Sequence, residues 1–284
     1  MPTRLLLFLT LALFIAKVRS EPIKFEVLTY NVFLRAPTWI FHNQHSWRSE
    51  RIPQYLSGYD VVVLQEAFSK KHREGLLTAM SSEYPYHSRV LGEDEFMSYN
   101  GGVIILSRWP ILRESQEVFD VCDGSDCMVK KGVIYTAISK PGLTTHVFGL
   151  HLQAEKKYSS VRVQQFPQLR SFIDNQQINT SEPLLVMGDF NVDYFSDSSA
   201  GEFSELTHAV GLELPNDSMV PSYDDDSNSV IDDPVRERLD YIFYSADHLR
   251  PIEAASEVLY FRDGNRDLSD HHPLSGQFSF ETNP

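Results

Sequence analysis

Eight polar side chains stand where apolar segments of this chain end: Asn31, Glu66, His151, Asp189, Asn191, Asp240, Asp270 and His271. The pattern is plainest at 184–193, LLVMGDFNVD, where four apolar residues run into a glycine, a carboxylate and, two positions on, a carboxamide. Each residue has a bland reading when taken alone. Asn31 could cap a strand, His151 could be a hydrogen-bonded core histidine, and Gly188-Asp189 is turn chemistry. Glu66 closes the run DVVVLQE, and a carboxylate there is costly to bury without a cation. A whole series at segment ends is harder to dismiss. If the ends converge, they form a pocket of acids, amides and imidazoles on a rigid scaffold. Oxygen donors with few imidazoles and no cysteine suit Mg²⁺ or Ca²⁺ better than a structural zinc. Mg²⁺ takes one or two protein carboxylates and completes its shell with water and phosphate. That donor set points to cleavage of a phosphate ester. Such a reaction needs a cation facing the phosphoryl oxygens. It also needs a base for water, a role that suits histidine when a carboxylate holds its other nitrogen.

The positioning elements follow from periodicity. Residues 23–31 alternate like a strand, and DVVVLQE holds a continuous apolar run, as expected of a strand buried on both faces. Further strands are expected at 101–107, 132–139, 145–151, 184–191, 238–244 and the C-terminal HPLSGQFSF. Helical patterns fall at 69–84, with Ser69 as N-cap, at 156–177, read as two pieces kinked at Pro167, and at 201–212, closed near Gly211. Hairpin-linked strands around 103–150 favour two packed sheets with helices outside over one doubly wound sheet.

The 284 residues, 42% hydrophobic, contain no linker, repeat or low-complexity tract, which favours one domain over 21–284. Residues 1–20 read as a signal peptide: Arg4, the 12-residue apolar run 5–16, then Lys17-Val18-Arg19-Ser20. A spanning helix needs about 20 apolar residues, so a secreted, extracellular and soluble protein is expected. Cleavage removes Arg4, Lys17 and Arg19 and no acid, taking the net charge from −14 to −17. Such a chain is not steered to nucleic acid or anionic lipid by its overall field. Cys122 and Cys127, the two cysteines, are expected to form a small-loop disulfide in an oxidising compartment. Asn179 and Asn216 open glycosylation sequons, which matter if the host is a eukaryote. DDDSNS (224–229) imitates a calcium loop, but Ser229 stands where glycine is required and no glutamate closes it. It reads as a solvated acidic loop.

Five ordered motifs, TYNVF (29–33), LQEAF (64–68), GDFNVD (188–193), LDYIF (239–243) and SDHHP (269–273), resemble the endonuclease/exonuclease/phosphatase superfamily. Within it, NVFLRAPTW, the stretch GGVIILSRWPI…KKGVIYTAI with its Lys131-Gly132 turn, and HVFGLHLQAE are similar to secreted neutral sphingomyelinases of the bacterial sphingomyelinase C type. The resemblance implies an α/β (α+β) four-layer sandwich: two packed mixed β-sheets flanked by helices, deoxyribonuclease I-like. It implies hydrolysis of sphingomyelin to ceramide and phosphocholine with Mg²⁺, one or two ions, Mn²⁺ or Co²⁺ being the substitutes to test.

By motif, Glu66 resembles the main metal ligand, with Asn31 beside it and Asp270 next to the metal and phosphate. Asp189 and Asn191 resemble the pair that orients water and phosphate. His271 resembles the general base, held by Asp240, with His272 a one-position ambiguity. His151 resembles the group that stabilises the phosphate or protonates the leaving alkoxide. Bacterial members carry a long apolar-tipped hairpin between the last two motifs. Here only EVLYFRDGNRDL intervenes, so Trp39, Ile40, Phe41 and Phe68 become the candidate membrane contacts, against a reading as plain core. Sphingomyelin or a related choline phospholipid at a membrane surface is the expected partner, with a monomer and no protein partner or nucleic acid. The rivals are a phosphodiesterase acting on other choline phospholipids, a secreted deoxyribonuclease-like nuclease, and a lipid-binding module with a degenerate site.

Overall fold

The computed structural model describes residues 21–35, 44–92, 99–196 and 200–281. The expected signal peptide and Trp39, Ile40 and Phe41 lie outside the described residues. One sheet has seven strands in the order β10 (Asn216–Asp217), β14 (Glu253–Val258), β17 (Leu274–Phe280), β1 (Ile23–Leu34), β2 (Val61–Ala67), β4 (Ile104–Ser107) and β3 (Tyr86–His87). The other has six: β5 (Ile111–Val118), β6 (Gly132–Lys140), β7 (Leu143–His151), β8 (Leu184–Asp189), β13 (Asp240–Ser245) and β9 (Leu212–Glu213). Both are mixed. β1 runs parallel to β2 and antiparallel to β17, while β8 runs parallel to β7 and antiparallel to β13. Two small hairpins complete the strands: β11 (Tyr223–Asp224) with β12 (Arg236–Glu237), and β15 (Arg262–Asp263) with β16 (Arg266–Asp267).

The sheets are apolar on both faces, and the residue alternation assigns each face. In β2, Val61 and Val63 enter the core between the sheets, where Ile134, Ile138, Val147, Leu185, Met187 and Ile242 meet them. Val62 and Leu64 turn the other way, under helices α1 (His45–Arg51) and α2 (Lys70–Met80). On the far side, Phe148, Leu184, Val186 and Phe243 pack under α3 (Ser159–Asn175) and α4 (Ala200–Val210). Each buried side chain of this kind contributes about 1.5–3 kcal/mol, which explains the unbroken apolar runs. The result is helix, sheet, sheet, helix: the four-layer sandwich.

Three local expectations need correction. Residues 159–175 form one continuous helix that contains Pro167, not two kinked pieces. The bond that Pro167 cannot donate to the Val163 carbonyl is outweighed by the buried flank of Phe166, Leu169, Phe172 and Ile173. Ser69 does occupy the N-cap position of α2, but its hydroxyl meets His72 Nδ1 at 2.7 Å and caps no backbone amide. β1 continues past Asn31 to Leu34, with a register shift against β2 in between. Gly211 does close α4, at φ +73°, a conformation that an L side chain adopts only under strain.

Candidate active site

Strand register, more than loop conformation, assembles the site. Asp189, the last residue of β8, lies opposite His151, the last of β7, and opposite Asp240, the first of β13. Three functional groups thus form one row across the rim of the six-stranded sheet. Gly188 makes that row tight: a Cβ at this position would sit 2.2 Å from the Leu150 carbonyl oxygen. In the seven-stranded sheet, Asn31 pairs with Gln65, and Glu66 follows with φ +55°. A non-glycine residue held there stores about 1–3 kcal/mol of strain, a cost typical of functional positions. The two rims touch. Asn31 Nδ2 donates to Asp189 Oδ2 at 3.0 Å and to Glu66 Oε1 at 3.3 Å, so one carboxamide joins the sheets.

His271 and Asp240 form a dyad, with Nδ1 2.8 Å from Asp240 Oδ2. His271 Nε2 faces Asp189 Oδ2 at 3.8 Å. Burial disfavours the imidazolium, but Asp240 and Asp189 reverse that, and His271 is pushed up to about 10. Burial likewise opposes ionisation of Asp189, yet the fields of His151 and His271 hold its carboxyl well below the usual range. Asp240 moves upward through burial and the Asp189 charge, which outweigh the opposing field of His271. Asp270 rises to about 6, first through burial and then through Glu66, against the field of His271.

His272 is set apart from this chemistry. Its Nε2 meets Ser227 Oγ at 3.0 Å, its ring lies edge-on to Tyr260, and burial lowers it to about 4. Of the two neighbouring histidines, it is His271 that is bonded to Asp240. His272 also carries a stability prediction. Its folded pKa lies below the ordinary 6.5, so the unfolded chain takes the proton first as pH falls. The stabilisation is complete above about 6.5 and is lost down to about 4, by at most about 3 kcal/mol. Urea melts at pH 7 and pH 4.5 should show a clear drop, and a His272→Asn variant should show a smaller one.

On the far side of Asp189, His151 Nε2 lies 2.6 Å from Lys131 Nζ and 3.2 Å from Asp189 Oδ2. Nε2 thus stands between an ammonium and a carboxylate, while Nδ1 is buried without a hydrogen-bond partner. Lys131 also faces Asp126 Oδ2 at 3.5 Å. Asn191, at φ +52°, donates its backbone N–H to Asp189 Oδ1 and its amide to the Leu152 carbonyl.

The donors fit a hard divalent cation. Glu66 Oε2 is buried without a hydrogen-bond partner, with Arg35 Nε 3.8 Å away. Asp270 lies within the field of Glu66. Asn31 presents its Nδ2 donor to Asp189 and Glu66, while its Oδ1 accepts the Phe33 N–H at 3.1 Å and keeps a second lone pair. Among the described residues, Asp189, Asp240 and His271 form the group of potential metal ligands lying within 4.8 Å of one another. Because His271 and Asp240 are already hydrogen-bonded to each other, we read them as base and orienting carboxylate. Asp189 is then the member shared with the Glu66 side. A cavity of about 210 Å³ opens beside Glu66, walled by Arg35, Phe68, Asp126, Lys131 and Glu155. Phe68 is only 8% exposed and forms a wall of this cavity, so it has little surface to offer a membrane.

Several residues of the site were not singled out in the sequence. Lys131 was visible only as half of a turn. Ser222 donates to Asp240 Oδ2 at 2.7 Å and accepts the Leu239 and Asp240 amides. Ser269 Oγ donates to the Asn31 carbonyl at 2.6 Å, tying the first motif to the last. Arg48, from α1, donates to the carbonyls of Val32, Phe33 and Leu268. The 224–229 loop is not simply solvated: Asp224 and Asn228 are buried, and Asn228 Nδ2 donates to the carbonyls of Ser269 and Asp270. Cys122 and Cys127 are disulfide-bonded, and Asn179 and Asn216 are both exposed.

The chain is 32% identical to Sphingomyelinase C 2 of Leptospira interrogans, over 92% of its own length and 47% of that protein's. It is 30% identical to Sphingomyelinase C of Bacillus cereus, over 90% of this chain and 89% of the relative. It therefore spans about half of one relative and most of the other. The solved structure of a beta toxin variant from Staphylococcus aureus with bound magnesium ions has a TM-score of 0.78 at 26% identity, covering 90% of this chain and 99% of that one. The model of the Endonuclease/Exonuclease/phosphatase family matches residues 28–271. That match runs from the strand carrying Asn31 to His271, and the chain belongs to this family.

Proposed function

We propose that the protein is a secreted, Mg²⁺-dependent phosphodiesterase that hydrolyses sphingomyelin to ceramide and phosphocholine. The observation that carries this reading is the His271–Asp240 dyad, 2.8 Å apart, aimed at Asp189 across from the orphaned oxygen of Glu66. The relatives named sphingomyelinase C supply the substrate class. The net charge of −14, or −17 after cleavage at Ser20, makes a nuclease role less favourable.

Glu66 and Asp270 would hold the ion, with Asp189 close by. When bound, magnesium there offsets charge on the phosphoryl oxygens and weakens the anionic field that keeps a proton on His271. The chain's own groups do the rest. Asp240 fixes the Nδ1–H tautomer, leaving Nε2 to take a proton from water. The water oxygen forms a bond to phosphorus, and the bond from phosphorus to the ceramide oxygen breaks. Lys131 and His151 hold the proton that the leaving alkoxide requires. Asp189, Asn191 and Asn31 orient water and phosphate from the joined rims. We further propose that residues 21–284 form one catalytic unit released by a signal peptide, acting as a monomer at a lipid surface.

A substrate panel tests the reading: sphingomyelin, lysophosphatidylcholine, glycerophosphocholine and DNA, each with Mg²⁺. Phosphocholine release from sphingomyelin above the other lipids supports it. Preference for DNA, or for a lysolipid by more than tenfold, replaces it with the corresponding rival.

A further inference from the structure

The segment 222–229 straps the turn that carries Asp270 and His271. At one end, the Ser222 carbonyl accepts the His272 N–H at 2.7 Å, while its hydroxyl holds Asp240. At the other, Asn228 takes the Ser269 and Asp270 carbonyls, both at 3.0 Å. Between these anchors stands Tyr223. Its ring centroid lies 5.0 Å from that of His271, with the planes 49° apart. Pairing of Tyr223 with Glu237 fixes its backbone.

The charges that act on the phenol are, in order, Asp270, Arg35, Glu237 and Glu66. Two of these four, Arg35 and Glu66, wall the cavity beside the expected metal position. Among the described residues, no hydrogen bond engages the Tyr223 hydroxyl. The residue is half-buried. A plain packing role would account for the ring against His271. It would not account for an unpaired polar tip on a ring that sits against His271 and within the fields of Asp270, Arg35 and Glu66. Tyrosine has two side-chain torsions before the ring, and with the backbone anchored little ordering remains to be done on binding.

Resting on the phosphodiesterase reading, we propose that Tyr223 donates its hydroxyl to a non-bridging oxygen of the substrate phosphodiester, while its ring keeps the His271 imidazole seated on Asp240. No bond is made or broken at Tyr223. The phenol stays protonated throughout and acts as a fixed donor for charge that grows in the transition state. Burial and then Asp270 push it up to about 12, consistent with a donor at any working pH.

Tyr223→Phe removes the donor and keeps the ring. On sphingomyelin in mixed micelles at saturating Mg²⁺, kcat should fall about 10- to 100-fold, the loss of one hydrogen bond to a charged group, with KM changed less than about threefold. The melting temperature, the Mg²⁺-induced thermal shift and the pH profile should stay as in the wild type. Tyr223→Ala should add a shift in the acidic limb of the kcat/KM profile, because the ring no longer seats His271. A Tyr223→Phe enzyme within twofold of wild type overturns the donor assignment, as does a loss confined to KM. The parent reading fails separately: wild-type protein inert toward every phosphodiester would defeat that one, whatever Tyr223 does.

Discussion

His271→Ala is expected to lower kcat on sphingomyelin by about 10³-fold, within the 10²–10⁴ range of a positioned general base. The imidazole is buried, bonded to Asp240 through Nδ1, and turned toward Asp189 through Nε2. No other described imidazole has that pairing. Asp240→Asn should come within about tenfold of the same loss. The amide can donate to Nδ1 and so favour the tautomer with its proton on the reacting nitrogen. Removing the ring also leaves Asp189 and Asp240 facing each other across one pair of strands without the cation between them. The metal-free variant should therefore bind a proton more tightly in the Asp189–Asp240 pair than the wild type does. His272→Ala supplies the control. If His271→Ala kept more than a tenth of wild-type activity while His272→Ala abolished it, the dyad would be misassigned.

Glu66→Gln should cost about 10³-fold in turnover. It should also remove the thermal stabilisation that Mg²⁺ gives the wild type. The substitution is nearly isosteric. An amide oxygen can still accept from Asn31 Nδ2. What disappears is a negative charge whose second oxygen has no hydrogen-bond partner in the protein. That charge lies in the field of Asp270, so its removal relieves repulsion when no ion is present. The metal-free variant should melt at or slightly above the wild-type temperature. Calorimetry of both proteins with and without 10 mM-scale Mg²⁺ separates the two effects, since a bound ion stabilises by mass action. An unchanged Mg²⁺ shift in Glu66→Gln would move the metal elsewhere in the protein.

The rim residues were legible because strands advertise themselves. Residues 61–64 of DVVVLQE are all apolar, since Val61 and Val63 enter one core and Val62 and Leu64 another. A polar residue ending such a run has few structural reasons to be there. The side chains that hold the rim in place carry no such signal. Ser222 looks like any loop serine, yet it bonds Asp240 eighteen positions away. Arg48 sits on a short polar helix and reaches the Leu268 carbonyl, 220 positions distant. Asp224 and Asn228 lie in a stretch whose composition says solvent, and burial comes only from docking on the Ser269–Asp270 turn. Pro167 misled for the converse reason: a local rule predicted a break, and a buried helix flank overrode it. Lys131 lay between these cases, next to Gly132 at a strand start, with nothing local to say that its ammonium would meet His151.

Phosphocholine release from sphingomyelin vesicles by the wild-type protein, followed with millimolar Mg²⁺ and again after excess chelator, bears most directly on the claim that two sheet rims meet around one divalent ion. Rapid release that stops with chelator and returns when Mg²⁺ is restored is the predicted result. Release that continues undiminished in chelator, or no release under either condition, would contradict it.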